Sequence, residues 1–259
     1  MPFHRTDEGK VLWPQGISSE DRRFCRDIYA SLINHDIGRL PGIYTQTGLK
    51  QGSNVIIGCS GGLDSTVLAH AYVQRMILRP RLNDTLISTT LMYVDHNLRS
   101  KDEIELDVQQ VNYLAKSLGV QSSIVKVKVQ DGNVQAQARE ARYDAMVRVA
   151  GQLNSASVYL AHHVNDVAET KLWQFLTGRQ VIGINRTLVR NNIVFSRPLL
   201  DFTREDLLRY ASIWNLNWHE DYTNSTDKYA RNRIRHELIP WIEKELNPGV
   251  VKMLGKPGM

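Results

Sequence analysis

At 259 residues the chain is long enough for one full α/β core plus a smaller appendage. Its 42% hydrophobic and 23% charged content is that of an ordinary globular protein, and no apolar run reaches the ~18 residues of a membrane span. A net charge of +5, with a pI of about 9.2, favours polyanionic partners such as nucleic acid. The only cysteines, Cys25 and Cys59, form no Cys-x-x-Cys, which excludes a disulfide scaffold, a zinc ribbon and a cysteine-held cluster. The N-terminus lacks the charged-then-apolar layout of a signal peptide, so the expected location is cytoplasmic and no membrane is expected as a partner.

In chain order, residues 1–17 read as a loose leader, and Ser18 or Ser19 is placed to cap a helix running to Asp36. Its Phe24, Ile28 and Leu32 recur at i, i+4, i+8 on one helical face. Gly38, Pro41, Gly42 and Gly48 punctuate a connection. Val55-Ile56-Ile57-Gly58-Cys59 is apolar without alternation, as in a strand buried on both faces. Residues 63–78 follow as a helix and 86–94 as a second strand. Residues 101–118 predict a helix with Leu106, Val111, Leu114 and Leu118 inward and Gly119 as its stop. A third strand over 124–129, a helix over 133–151, a fourth strand at 158–161, a helix over 166–176 and a fifth strand at 193–195 come next. Strand–helix alternation of this kind predicts an α/β fold: a doubly wound, mostly parallel, five-stranded Rossmann-like sheet. Beyond Pro198, residues 203–214 and 229–246 read as helices with no strand between them, a small helical C-terminal subdomain.

The most informative segment is Ser60-Gly61-Gly62-Leu63-Asp64-Ser65, directly after the first strand and opening a helix. Two glycines let the backbone approach a ligand closely, two serines add hydroxyls, and the helix start adds free N–H groups and a positive dipole end. Asp64 is poorly placed to hold phosphate directly, so its expected role is to hold Mg²⁺ bridging to phosphate. Taken alone, a Gly-Gly turn with Asp and Ser caps would be an ordinary strand-to-helix turn. The whole Ser-Gly-Gly-x-Asp-Ser string resembles the PP-loop of the N-type ATP pyrophosphatases, and it is neither a Walker A loop nor a Gly-x-Gly-x-x-Gly turn.

Four further segments follow in order. Tyr93-Val94-Asp95-His96-Asn97-Leu98-Arg99 ends the second strand, at the carboxyl edge where open α/β sheets bind ligands. Asn133, Arg139, Arg142 and Tyr143 share one helix. His162, His163, Asp166, Glu169 and Thr170 follow the fourth strand; a helix starting at His162 would put His162, Asp166 and Glu169 on one face. Glu220-Asp221-Tyr222-Thr223-Asn224 precedes Arg231-Asn232-Arg233-Ile234-Arg235, whose Arg231 and Arg235 stand one turn apart, spaced to grip neighbouring phosphates.

With Arg197-Pro198-Leu199-Leu200 added, this ordered set from about Val55 to about Pro240 resembles the tRNA(Ile)-lysidine synthase family. The resemblance implies an ATP-dependent ligase that adenylates carbon 2 of the wobble cytidine of a CAU-anticodon tRNA(Ile), joins L-lysine to it, and releases AMP and pyrophosphate. It implies ATP and Mg²⁺ as cofactors, tRNA(Ile) and L-lysine as partners, and it allows a homodimer. Ser60, Gly61, Gly62, Leu63, Asp64, Ser65, Val94 and Asp95 would bind ATP, with Asp64 on the metal. Asp166 would act as base, Glu169 would help bind lysine, and His162 and Arg231 would complete the catalytic set. Arg139, Arg142, Arg231 and Arg235 would face tRNA or phosphate. The implied layout is an N-terminal helical leader over 1–50, a PP-loop ATP pyrophosphatase domain over 51–200 and a helical appendage over 201–259, a short version of the family.

One segment departs from the family. Where relatives carry Gly-x-Gly-x-x-Gly-Leu, this chain has Thr177-Gly178-Arg179-Gln180-Val181-Ile182-Gly183-Ile184, with a large basic side chain between two remaining glycines. Two alternatives stand beside the main reading. One is another PP-loop tRNA-modifying enzyme, although a thiolase would be expected to show cluster cysteines. The other is a non-catalytic nucleotide- or tRNA-binding module.

Overall fold

The computed structural model describes residues 13–34, 54–78, 88–128, 134–219 and 230–256. Gly38, Pro41, Gly42, Gly48, Asn133 and the segment 220–224 lie outside these residues. The strands are β1 (Asn54–Gly58), β2 (Ser88–Asp95), β3 (Gln121–Lys126), β4 (Ser155–Tyr159), β5 (Thr187–Arg190) and β6 (Ile193–Ser196). The longer helices are α1 (Ser19–Asn34), α2 (Leu63–Leu78), α3 (Lys101–Leu118), α4 (Val134–Gln152), α5 (Val164–Leu176) and α6 (Arg204–Ile213). The short helices α7 (Ala230–Arg233), α8 (Ile239–Glu245) and α9 (Val250–Leu254) follow, with a π-helical turn, Ile234–Leu238, between α7 and α8.

The sheet has six strands in the order β3-β2-β1-β4-β6-β5, not the five expected. The first five of that order are parallel, and β5 runs antiparallel to β6. β5 and β6 are joined by Asn191-Asn192, whose φ angles of 49° and 60° are those of a two-residue hairpin turn. β5 is an edge strand with half its residues exposed, so it carries neither a continuous apolar run nor a clean alternation.

Apolar residues of β1 divide between the faces. Val55 and Ile57 join α1, α2, α3 and α6 in one core, and Ile56 joins α4 with Met92, Val158 and Phe195 in the other. This accounts for the non-alternating pattern, since both faces of a central parallel strand are covered. Leu106 departs from expectation: it lies on the outer face of α3, 49% exposed, and Asp107 beside it is buried instead.

Residues 201–259, expected as one helical appendage, divide between two places. α6 packs on α2 in the first core through Leu207, Tyr210 and Ala211. After α7 the chain packs on α5, with Val164 and Ala168 meeting Ile234, Ile239, Val250 and Val251. α1 gives the N-terminal leader a structural role. Ser18 caps it by accepting from Asp21 N–H at 3.0 Å, and its Cys25, Ile28 and Leu32 are fully buried. Arg209 of α6 ties to it through Asp21 (2.7 Å) and Glu20 (2.8 Å).

Between α1, α2 and α6 lies a buried polar chain. Gln74 Nε2 donates to His70 Nε2 (3.3 Å), His70 Nδ1 meets Tyr210 Oη (2.9 Å), and Tyr210 Oη meets Tyr29 Oη (3.2 Å). Burial pushes the His70 imidazole down to about 3, and a second proton would face the Gln74 amide N–H. His70 therefore stays neutral in the fold where the unfolded chain takes up a proton. Between pH ~6.5 and ~3 the unfolded state binds the extra proton, so stability falls as pH falls, by about 1.4 kcal/mol per unit from this group. Chemical denaturation between pH 6 and 4 should show a shallower decline for His70→Gln than for the native chain; parallel declines would contradict this account.

Candidate active site

The chain leaves β1 for β2 and β3 on one side and returns to β4 on the other. The carboxyl ends of β1 and β4 therefore flank the topological switch point, where open α/β sheets hold ligands. The glycine loop leaves β1 there, and Ala161-His162-His163 leaves β4 beside it.

Gly61 has φ +84°, a left-handed value that disfavours a side chain, and a Cβ there would press on Asp107 O and Gln110 at 3.4 Å. Ser65 Oγ closes the turn, donating to Gly62 O at 3.0 Å and accepting from Ser60 N–H at 3.2 Å. Gly62 N–H points to Ser60 Oγ at 3.4 Å. α2 starts at Leu63, so the loop delivers its N–H groups and helix dipole to one place. Cys59 is buried beneath the loop, and burial raises its thiol pKa.

The loop opens onto a cavity of about 810 Å³, the size of small-molecule sites. Ser60, Asp64, Ser65, Val94, Asp95, Arg139, Arg142, His162 and Asp166 from the expected set line it; Gly61, Gly62 and Leu63 do not. Asp95 is buried and holds the turn after β2, accepting from Asn97 N–H at 2.7 Å.

α5 begins at Val164, so His162 still lies in the extended segment after β4. The expected single stripe of His162, Asp166 and Glu169 is thus corrected: only Asp166 and Glu169 share a helical face. Asp166 accepts from His163 N–H at 3.0 Å, which fixes the first turn and explains the later start.

His163, named in the sequence only as part of its segment, has a place in the site to which no role was assigned. Its side chain is 1% exposed, and its Nε2 stands 3.5 Å from Asp64 Oδ2 and 3.7 Å from Asp166 Oδ2. Burial opposes its protonation, but the Asp166 and Asp64 carboxylates, with Glu169 further off, outweigh burial and raise its pKa. His162 is the opposite case. Burial, against a smaller pull from Asp166, pushes it down to about 3, so it is a neutral imidazole in the cavity wall. Burial likewise raises Asp166, yet His163, His162, Arg231 and Arg235 prevail and hold it well below the usual carboxylate range. Arg204 Nη1 approaches Asp64 Oδ1 at 3.6 Å.

Arg231 and Arg235 face α5. Arg235 Nε donates to Glu169 Oε1 at 2.6 Å and Arg231 Nε to Glu169 Oε2 at 3.1 Å, and both reach Asp166 Oδ1 at 3.4 Å. Glu169, 1% exposed, is fully engaged by these arginines and lies behind the cavity wall rather than in it. Arg231 stands in α7 and Arg235 in the π-helical turn that follows it.

Arg139 and Arg142 have no carboxylate partner among the described residues. The acids nearest in sequence, Glu140 and Asp144, are taken by Arg190 of β5 at 2.8 and 3.0 Å. Arg139 lies over the Tyr143 ring, 5.3 Å from its centroid. Burial, with Arg139, Arg231 and Arg197 nearby, lowers the Arg142 pKa. The altered 177–184 loop folds back on α5. Gln174 Oε1 accepts from Ile182 and Gly183 N–H, both at 2.9 Å, and the Arg179 guanidinium stacks on Trp173 at 4.2 Å. Its large basic side chain therefore lies against a tryptophan, not in the cavity.

A parallel sheet with a glycine-bearing loop at its switch point, feeding an aspartate and a helix N-terminus into one cavity, defines a nucleotide-binding α/β protein of the PP-loop class. The chain belongs to the PP-loop family, whose domain matches residues 33–242. It is 35% identical over 205 residues to the tRNA(Ile)-lysidine synthase of Solibacter usitatus, a match covering 78% of this chain and 44% of that protein. Similar matches are the tRNA(Ile)-lysidine synthases of Thermotoga maritima (33% identical, 78% of this chain, 48% of that one) and Clostridium perfringens (30%, 80% and 44%). The chain thus spans about half the length of the curated relatives it matches. The U34-tRNA thiolase NcsA of Methanococcus maripaludis shares the fold, with a TM-score of 0.66 at 16% identity over 98% of this chain and 86% of that one.

Proposed function

We propose that the chain is the catalytic unit of a tRNA(Ile)-lysidine synthase, using ATP to activate the wobble cytidine of a CAU-anticodon tRNA(Ile) and L-lysine to replace its carbon 2 oxygen. One observation carries the reading: Asp64 of the phosphate loop and Asp166 of α5 line a single cavity and are joined outside its lining by one buried imidazole, His163. A phosphate-cleaving loop and an anionic amine site are what a two-step adenylation and amine transfer requires.

In the first step the cytidine's carbon 2 oxygen attacks the α-phosphate and pyrophosphate leaves. Ser60, Ser65 and the N–H groups at the start of α2 would hold the phosphates. Asp64 suits Mg²⁺: its buried Oδ1 accepts no hydrogen bond, and one carboxylate plus phosphate oxygens is the usual donor set. That ion would neutralise phosphate charge. Arg142 and Arg139 face the same space and would attract phosphate from the substrate RNA or nucleotide.

In the second step the lysine ε-amine forms the bond to carbon 2, and AMP leaves with the oxygen. The amine must shed a proton from a group whose ordinary pKa is about 10.4. Asp166 is the carboxylate of α5 that lines the cavity, and its neighbours keep it ionised, so it would hold the ammonium and take the proton as carbon–nitrogen bond formation makes the nitrogen acidic. Glu169 would act indirectly, fixing Arg231 and Arg235. Neutral His162 would serve as a hydrogen-bonding wall, not as a cation.

The test is a reaction of the chain with ATP, Mg²⁺, labelled lysine and total tRNA, read as AMP, pyrophosphate and nucleoside mass. Lysidine is expected at a wobble cytidine, and Asp166→Ala should lose lysine transfer far more than pyrophosphate release. ATP cleavage without lysidine would refute the choice of amine, and equal loss of both steps would refute Asp166 as base.

A further inference from the structure

One buried acid stands outside every role assigned above. Asp107 of α3 is 2% exposed and shares the buried face of the helix with the apolar Val111, Leu114 and Leu118. Its Oδ2 accepts from Tyr93 Oη at 3.0 Å and from Arg99 Nη2, and its Oδ1 accepts from His219 Nδ1 at 3.0 Å. Arg99 also donates to Tyr93 Oη at 3.1 Å. A buried carboxylate is tolerated only when donors surround it, and these donors come from β2, the turn after β2, and the segment after α6.

Each donor leads back to the cavity. Tyr93 and Arg99 both line it. His219 N–H donates to Gly61 O at 2.9 Å. In a planar trans peptide the Gly61 carbonyl and the Gly62 N–H point to opposite sides. Holding the carbonyl toward His219 therefore turns the Gly62 N–H toward Ser60 and the phosphate side. Gln110 Nε2 pins the same segment by donating to Asn217 O at 2.7 Å, and Gly61 packs directly on Asp107 O and Gln110.

We infer that Asp107 and His219 are positioning residues of the phosphate loop: Asp107 fixes His219, whose backbone sets the Gly61–Gly62 peptide, and the same carboxylate fixes Arg99 in the cavity lining. The inference rests on the ATP-binding reading of the loop, not on the identity of the amine or the tRNA.

The test is calorimetric binding of α,β-methylene ATP with Mg²⁺ to the full chain and to Asp107→Asn, His219→Ala and the double variant, with thermal unfolding in parallel. Loss of a charged hydrogen-bond partner should weaken binding about tenfold to a hundredfold in either single variant. Since both act on one peptide, the double variant should be no weaker than the weaker single. Unchanged affinity in Asp107→Asn, even with a lowered unfolding temperature, or additive losses in the double variant, would overturn the inference. Failure of the native chain to bind the analogue would instead overturn the nucleotide reading. If Asp107→Asn does not fold, His219→Gln carries the test, because His219 is 31% exposed and lies outside the apolar cores.

Discussion

Asp64→Ala is expected to cut ATP-dependent pyrophosphate release by about a hundredfold or more while leaving the fold intact. The carboxylate stands at the first turn of α2, next to the loop that faces the phosphates. Its loss removes the single acidic group of the loop able to hold Mg²⁺, and metal-ion stabilisation of a transferring phosphoryl group is worth several kcal/mol. Its loss also leaves Arg204 and one side of His163 without their carboxylate. Asp64 is 31% exposed and lies in no apolar cluster, so the unfolding temperature should stay within a few degrees of the native value. Quantifying pyrophosphate at saturating ATP separates the outcomes: full activity would remove Asp64 from the phosphate chemistry.

Glu169→Ala should act in the opposite manner, on stability first. Glu169 is 1% exposed and is the shared partner of Arg231 and Arg235, whose side chains are 43% and 28% exposed. Removing one partner of such a cluster leaves charge uncompensated, at a cost of about 3 kcal/mol, the low end of the range because the arginines keep some water. In a chain of this size that corresponds to an unfolding temperature lower by about 10 °C. The helices after Ala230 dock on α5 through this contact and a modest apolar cluster, so they should loosen first. Glu169→Gln keeps the shape and some hydrogen bonds and should fall between the two. A shift below about 2 °C for the alanine variant would mean that the arginines find other partners.

Much of this site can be read from the sequence, and the reason is local. A phosphate loop is a contiguous string, so Ser60 to Ser65 carries its own geometry. Asp166 and Glu169 are also near neighbours whose helical phase is readable, although the helix begins two residues later than a stripe from His162 requires. The residues whose part in the site the sequence did not reveal act through distance in the chain. His163 matters because β1 and β4 are neighbours in the sheet, a pairing no local pattern encodes. Asp107 was hidden by Leu106, whose apolar character suggested an inward position that the helix gives to the acid beside it. The same holds for the sheet. The central strands are apolar on both faces and stand out, whereas β5 is an edge strand whose best signal was the Asn191-Asn192 turn. The Arg231–Arg235 spacing was legible, but their engagement with α5 was not, because it depends on where the C-terminal helices dock.

The β5–β6 hairpin has a consequence for how charged molecules approach. Arg190 at the end of β5 pairs with Glu140 and Asp144, the two acids that share α4 with Arg139 and Arg142, and offsets one of their two negative charges. The acidic charge on that side of α4 is thereby reduced, while Arg139 and Arg142 line the cavity. An incoming polyanion meets less repulsion from α4 on its way to these two arginines, and long-range attraction of that kind orients a ligand before contact. Such attraction fades beyond about 8 Å at physiological salt. The hairpin therefore acts as a screen that sharpens the last stage of approach, and its edge position in the sheet is what lets it reach α4 from outside.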